Sequence, residues 1–286
     1  MERECCLSML IALIGGSALI ACGWWPAGGD LQGALSARRM ERIAWWRVWL
    51  PVMPAATAAL WLCGWALVEP DPVPERVPIS LIVLSVPFGL LFVRAAIRAG
   101  WALAADRGAM GTVTVGLLQP WIVFSPHLAK ALDERQIEAA LAHERAHARH
   151  RDPLRIWIAQ LATDLQWPWP QARERMRRWL LALELARDEE ARAAGVEGTD
   201  LADAILASAR FGLQVTLPAQ AALIGSPSAL KERIRRLLDP QPAGAQGQCR
   251  GAYGALLALI PAMLMVLALG SIFGERVVPA LFRIAA

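Results

Sequence analysis

Cysteine, histidine and tyrosine are scarce in this chain, at five, four and one among 286 residues, and each shortage excludes something. The cysteines, Cys5, Cys6, Cys22, Cys63 and Cys249, show neither zinc-finger nor redox-pair spacing and lie in or beside long apolar runs. Thiolate metal sites and dithiol redox chemistry are therefore not expected, and membrane packing suits these side chains better. Tyr253, the single tyrosine, sits in an apolar run, so no phenol serves chemistry in the charged part of the chain. Internal repeats and low-complexity tracts are absent. A formal net charge of +4 and a pI near 9.1 would suit nucleic acid. No groove-reading motif accompanies that charge, and the arginines cluster beside apolar runs or on helices broken up by acids, so direct nucleic-acid binding is not expected.

Charge itself is missing from four stretches, Cys5 to Gly29, Val48 to Val68, Val77 to Val93 and Gly251 to Gly274. Crossing a bilayer takes about 20 apolar residues, so these predict four transmembrane helices, at about 5–29, 46–68, 77–98 and 251–274. Pro51, Pro54, Pro87 and Pro261 interrupt the runs, which membrane helices tolerate when neighbouring helices re-satisfy the freed carbonyls. Residues 100–250 carry most of the charge and form one predicted domain, and a short tail occupies 275–286. Arg38, Arg39, Arg42 and Arg47 lie in the first loop, whereas the second reads Glu69, Asp71, Glu75, Arg76. The positive-inside rule places the first loop and the charged domain in the cytoplasm, with both termini outside. Leu19-Ile20-Ala21-Cys22 is similar to a bacterial lipoprotein cleavage site, but Met1-Glu2-Arg3-Glu4 is not the basic leader such signals use.

Within the charged segment, Thr112 to Val115 and Trp121 to Phe124 are β-branched and aromatic runs separated by Gly116 and Pro120, which predicts a small hairpin or two short strands. Everything after them reads as helical. Asp133 with Gln136 makes a capping box for a helix to about Arg151. Asp152-Pro153 combines a good cap with a residue pre-set for the first turn, which starts a second helix to about Gln166. Trp167-Pro168-Trp169-Pro170 breaks it, and a third helix spans about Gln171 to Ala194. Two weaker helices follow, about Asp200 to Phe211 and Ser228 to Leu238. The expected fold is thus a mainly α membrane protein whose α+β catalytic domain lies between the third and fourth spans.

His143-Glu144-Arg145-Ala146-His147 has the HExxH spacing. On a helix, residues four apart lie on one face, so both imidazoles can reach one metal while Glu144 faces the attacking water. Neutral imidazoles make zinc the natural ion, and a catalytic zinc takes three protein ligands with an open fourth place. His150 lies about 10 Å along the axis from His143, too far to converge on the same ion. Glu184 is the expected third ligand, because Glu184-Leu185-Ala186-Arg187-Asp188 puts two carboxylates on one helical face. Asp188 would then accept a hydrogen bond from the far nitrogen of a ligating histidine. Arg187, Glu189, Glu190 and Arg192 are expected on an exposed, salt-bridged surface.

The run from Gly116 through Pro120, Ile122-Val123 and Pro126, then Leu141 to His147 and Arg151-Asp152, resembles the BlaR/MecR-type antirepressor metallopeptidases. Trp167 to Pro170 is similar to that family's Trp-Phe-Asn-Pro segment. Glu184 to Asp188 matches its Glu-x-x-Cys-Asp segment, except that Arg187 stands where Cys is usual, and Glu232-Arg233-Ile234 resembles a late Glu-Arg-Ile element. The resemblance implies a gluzincin-like zincin domain in the bacterial inner (cytoplasmic) membrane and signal-triggered proteolysis of a cytoplasmic regulator, such as a transcriptional repressor, or of the chain itself. Drug-sensing members carry a penicillin-binding sensor after the fourth span. Here Glu275 to Ala286 stand in that place, so direct β-lactam sensing is not expected, and a stimulus would come through the loops, the spans or a partner.

The expected partners are a protein or peptide substrate and the lipid bilayer, with a homodimer or a separate sensor protein left open. The expected cofactor is Zn2+. The strand near Thr112 to Val115 could add a substrate peptide to its edge, or serve structure alone. Two other functional classes fit the same residues. An HtpX-like quality-control protease would degrade misfolded membrane proteins broadly. A membrane scaffold would carry a structural or vestigial metal site, although nothing in a scaffold needs Glu144.

Overall fold

A computed structural model describes residues 2–26, 36–68, 79–105, 113–210 and 227–239 of the chain. The run at 251–274, the tail, Cys249 and Tyr253 lie outside them, as do Thr112 and the acidic loop from Glu69 to Arg76.

The described chain is mainly helical. Its amino-terminal part comprises α1 (Glu2–Gly23), α2 (Ala37–Trp49), α3 (Met53–Val68) and α4 (Ile79–Ala105). Among the described residues, two stretches are long and apolar enough to cross a membrane, Cys5–Gly23 and Ile79–Ala102. The expected second span, 46–68, is not one helix. It breaks between α2 and α3, which meet at a bend of 53°, and the two make a third span only if that bent pair is counted as one. Pro51 and Pro54 explain the break, since neither can donate to the carbonyl a turn earlier and each ring crowds it. The expected third span, 77–98, extends through Arg94 and Arg98 to Ala105. Both arginines reach Asp164, so the end of α4 rests on the charged domain. Cys6, Leu10, Leu62, Trp65 and Leu81 form the core that joins α1, α3 and α4. Ile79, Val83, Leu90, Val93, Ile97 and Trp101 of α4 are exposed, an apolar face that suits lipid.

The charged segment opens with β1 (Val113–Val115) and β2 (Trp121–Val123), an antiparallel pair with Thr114 opposite Ile122. Gly116 turns the chain at φ 91°, where an added Cβ would run into the Trp121 ring and the Gln119 carbonyl. A short α5 (Pro126–Ala129) precedes α6 (Glu134–His150), whose capping box forms as expected, with Asp133 accepting from the Gln136 backbone and Gln136 from that of Asp133. Next come α7 (Asp152–Leu165), α8 (Pro170–Ala193), α9 (Gly198–Arg210) and α10 (Pro227–Leu238). Only Arg151 separates α6 from α7, and it adopts the left-handed conformation at φ 52°. For a residue with a Cβ that conformation costs about 1–2 kcal/mol, and it folds α7 back at once against the end of α6.

The largest core lies between α2, α7 and α8, not in the span bundle. Met40, Ala44 and Val48 of α2 pack on Ile156 and Ala159 of α7 and on Trp179, Leu180 and Leu183 of α8. Each buried Leu, Ile or Met side chain contributes about 1.5–3 kcal/mol, so α2 is anchored to the charged domain. The end of α1 is anchored as well: Trp169 donates to the Ile20 carbonyl, and buried Arg175 donates to the carbonyls of Gly23 and Trp25.

Candidate metal centre

Helix α6 presents His143 and His147 inward, both buried, with ring centroids 4.7 Å apart. Their Nε2 atoms lie 3.0 Å from each other. From α8, Glu184 brings Oε2 to 3.4 Å from His143 Nε2 and Oε1 to 3.7 Å from His147 Nε2. One ligand atom from each of the three residues fits within 4.8 Å of the others, as around a single ion. His150 turns away, its Nε2 2.8 Å from Glu190 Oε2.

Both histidines lean on carboxylates. His147 Nδ1 lies 2.8 Å from Asp152 Oδ2, and His143 Nδ1 lies 2.9 Å from Asp188 Oδ1, a contact off the N–H axis. An ionised carboxylate only accepts, so each neutral ring keeps its proton on Nδ1 and turns a lone pair at Nε2 into the centre. Two lone pairs and a carboxylate then face one another at distances that need a proton or a cation between them. One proton can occupy the 3.0 Å gap between the rings, whereas a dication satisfies all three donors.

Three of the acids, Asp152, Glu184 and Asp188, stay ionised despite burial. Burial raises Asp152, but the paired Arg187 outweighs it and holds the carboxyl well below the ordinary range. Burial likewise raises Glu184 and Asp188, and in both the Arg233 charge, followed by the histidines, brings them down. Burial lowers His147, yet the Glu184 charge and the Asp152 hydrogen bond push it up to about 10. His143 is raised too, its burial outweighed by Asp188 and Glu184. The rings bind whatever positive charge is offered, proton or metal.

Four residues at the centre carried no such role in the sequence. Asp152 is not the helix cap it promised to be: it lies inside α7, fully buried, clamped by Arg187 through Nε at 2.5 Å and Nη2 at 2.9 Å. Arg187 is not on an exposed surface but 1% accessible, and Glu190 is buried beside it. Arg233 of α10 donates twice to Asp188 at 2.8 Å and lies 2.9 Å from Glu184 Oε2. Thr114 of β1 has its hydroxyl 2.7 Å from Glu144 Oε2 and 3.0 Å from the Glu144 carbonyl. The signals were present but faint. Asp152 follows His147 by five residues across a helix break, Arg187 lies inside the ExxxD pair, and Arg233 lies in the late Glu-Arg-Ile element.

Residues 103–237 match the family model of the BlaR1 peptidase M56. Over that segment the chain is similar to the BlaR1 and MecR type of M56 peptidases. The M56 segment runs from the last turn of α4 to the end of α10 and includes every residue of the centre. An M56 relationship together with long apolar helices describes a membrane metallopeptidase. No curated protein and no solved structure matches the chain.

Proposed function

We propose that the chain is a zinc metalloendopeptidase of the bacterial inner membrane, with its M56 segment in the cytoplasm, that cuts a cytoplasmic regulator or itself in response to a signal. One observation carries this: His143, His147 and Glu184 converge within 4.8 Å, beside a glutamate on the same helix. Two imidazoles and one carboxylate are a donor set of catalytic zinc enzymes, and three protein donors leave a fourth place for reactants. When bound, zinc supplies Lewis-acid chemistry: it polarises a carbonyl and lowers the pKa of water to about 7.

The chain's own residues supply the rest. Glu144 takes a proton from the attacking water and returns it to the leaving amine. Thr114 holds one oxygen of Glu144, which fixes the direction of the free oxygen. Asp152 and Asp188 orient the two rings, and Arg233 occupies Oε2 of Glu184, leaving Oε1 the freer donor. Thr114 also brings β1 against the centre, where its strand could align a peptide.

Membranes carrying the wild type or Glu144→Ala test the reading through their cleavage products. One defined fragment that vanishes in the variant is expected. Many fragments would point to broad quality-control proteolysis, and identical patterns to a non-catalytic scaffold. Metal analysis of Glu184→Ala tests the ligand set, since unchanged zinc occupancy would remove the third ligand.

A further inference from the structure

Glu41 is the only acidic residue of α2 and it is buried, 7% accessible, on the face that docks on α7 and α8. A carboxylate leaves water only when it is paired. The partner is Arg155 of α7, whose Nη2 donates to Glu41 and whose Nη1 lies 3.0 Å from Asp152 Oδ1. The Arg155 guanidinium is also held over two indoles, 5.0 Å from the Trp45 ring of α2 and 5.7 Å from that of Trp179 on α8. Asp152, in turn, holds His147 Nδ1 at 2.8 Å. An unbroken line of ionic contacts thus runs from Glu41 through Arg155 and Asp152 to the ring of a candidate ligand. Its first member lies outside the segment that matches the M56 family, 103–237.

We propose that Glu41 is a positioning residue for the metal centre, acting through Arg155 on Asp152 and so on the orientation and basicity of His147. The inference rests on the metal-centre reading above. Asp152 divides its negative charge among Arg187, Arg155 and His147. Glu41 takes up part of the Arg155 charge, which leaves more of Asp152 for the imidazole. Neutralising Glu41 turns Arg155 wholly toward Asp152, and His147 becomes the poorer donor.

The test uses the full-length protein in detergent, with zinc affinity measured by chelator competition and the cobalt-substituted centre by its visible absorption. Glu41→Gln should weaken zinc binding by about threefold to tenfold, less than the roughly 10–100-fold typical of groups that touch a ligand directly. It should also shift the cobalt bands. Met40→Leu, in the same packed face, should do neither. In an Arg155→Leu background, Glu41→Gln should have no further effect, because the coupling passes through the guanidinium. Should Glu41→Gln fail to fold, Glu41→Asp serves in its place with a smaller loss in the same direction. Unchanged affinity and spectrum in the Glu41 variants, or a full effect retained without Arg155, overturn the relay. A wild type whose metal binding is indifferent to His143→Ala overturns the metal centre itself, and the relay with it.

Discussion

Asp152 satisfies four donors with two oxygens: Arg187 twice, Arg155 and His147. Replacing it with Asn keeps the shape but removes the charge that makes His147 basic, and zinc affinity should drop about 10–100-fold. A change under twofold in a competition titration would deny Asp152 any part in holding the metal. Arg187 is the other half of this pair. With both partners buried, Arg187→Ala takes two of the four donors from a buried carboxylate and should cost up to about 3–5 kcal/mol in chemical denaturation. A pH dependence follows from His147, raised in the metal-free protein to about 10. An imidazole raised on folding adds stability that is complete below its ordinary value near 6.5 and is lost as the pH climbs through about 10. The proton must leave before Nε2 can bind a metal, so zinc affinity should increase with pH across that window, and a flat profile would sink the assignment. At this scale the sequence disclosed the residues whose spacing is itself the chemistry, His143, Glu144 and His147. It also singled out Glu184 and Asp188, which the fold brings to the same place. A residue recruited by folding, such as Thr114, has no local pattern to betray it, and Arg233 had only the faint one of its Glu-Arg-Ile element.

Among elements, α6 was the most legible, because its capping box and apolar spacing are local and fix both its start and its face. The α6–α7 junction was legible as a break but not as a device. Only the left-handed Arg151 lets Asp152 return to His147, and conformation at one residue does not show in composition. The kink between α2 and α3 was hidden for the opposite reason: prolines are tolerated in spans, so Pro51 and Pro54 looked compatible with a straight one. The docking of α2 on α8 needed coordinates, since its arginines suggested a loop at the membrane surface while its buried face was spent on the domain. Placement of α10 depends on Gly198 at the start of α9, where a Cβ would overlap the Leu237 carbonyl. Gly198→Ala should therefore push α10 outward at about 1–3 kcal/mol, the usual cost of overpacking. Its arginine should move with it, so zinc binding weakens alongside stability. Loss of stability with unaltered zinc affinity would show that Arg233 does not support Glu184.

For the molecule as a whole, the centre is where four helices are tied together. Ligand atoms come from α6 and α8, Asp152 from α7 and Arg233 from α10, and the core behind them reaches α2. Without a metal, a proton on His147 is what separates the acceptors at the middle of this arrangement, so once the pH passes about 10 the metal-free protein should open there first. An ion that binds only the folded chain stabilises it by mass action, about 2.7 kcal/mol at a free concentration 100 times the dissociation constant. For a domain of this size, each kcal/mol raises Tm by about 2–4 °C, which makes the expected shift roughly 5–10 °C. Chelation should reverse it. His143→Ala with His147→Ala should abolish the response to zinc while leaving the spans inserted, because α1 and α4 pack through a separate apolar core. A Tm that ignores both zinc and chelator in the wild type would mean that the four helices are held by ion pairs and packing alone, and that the acceptors at the centre share a proton instead of a metal.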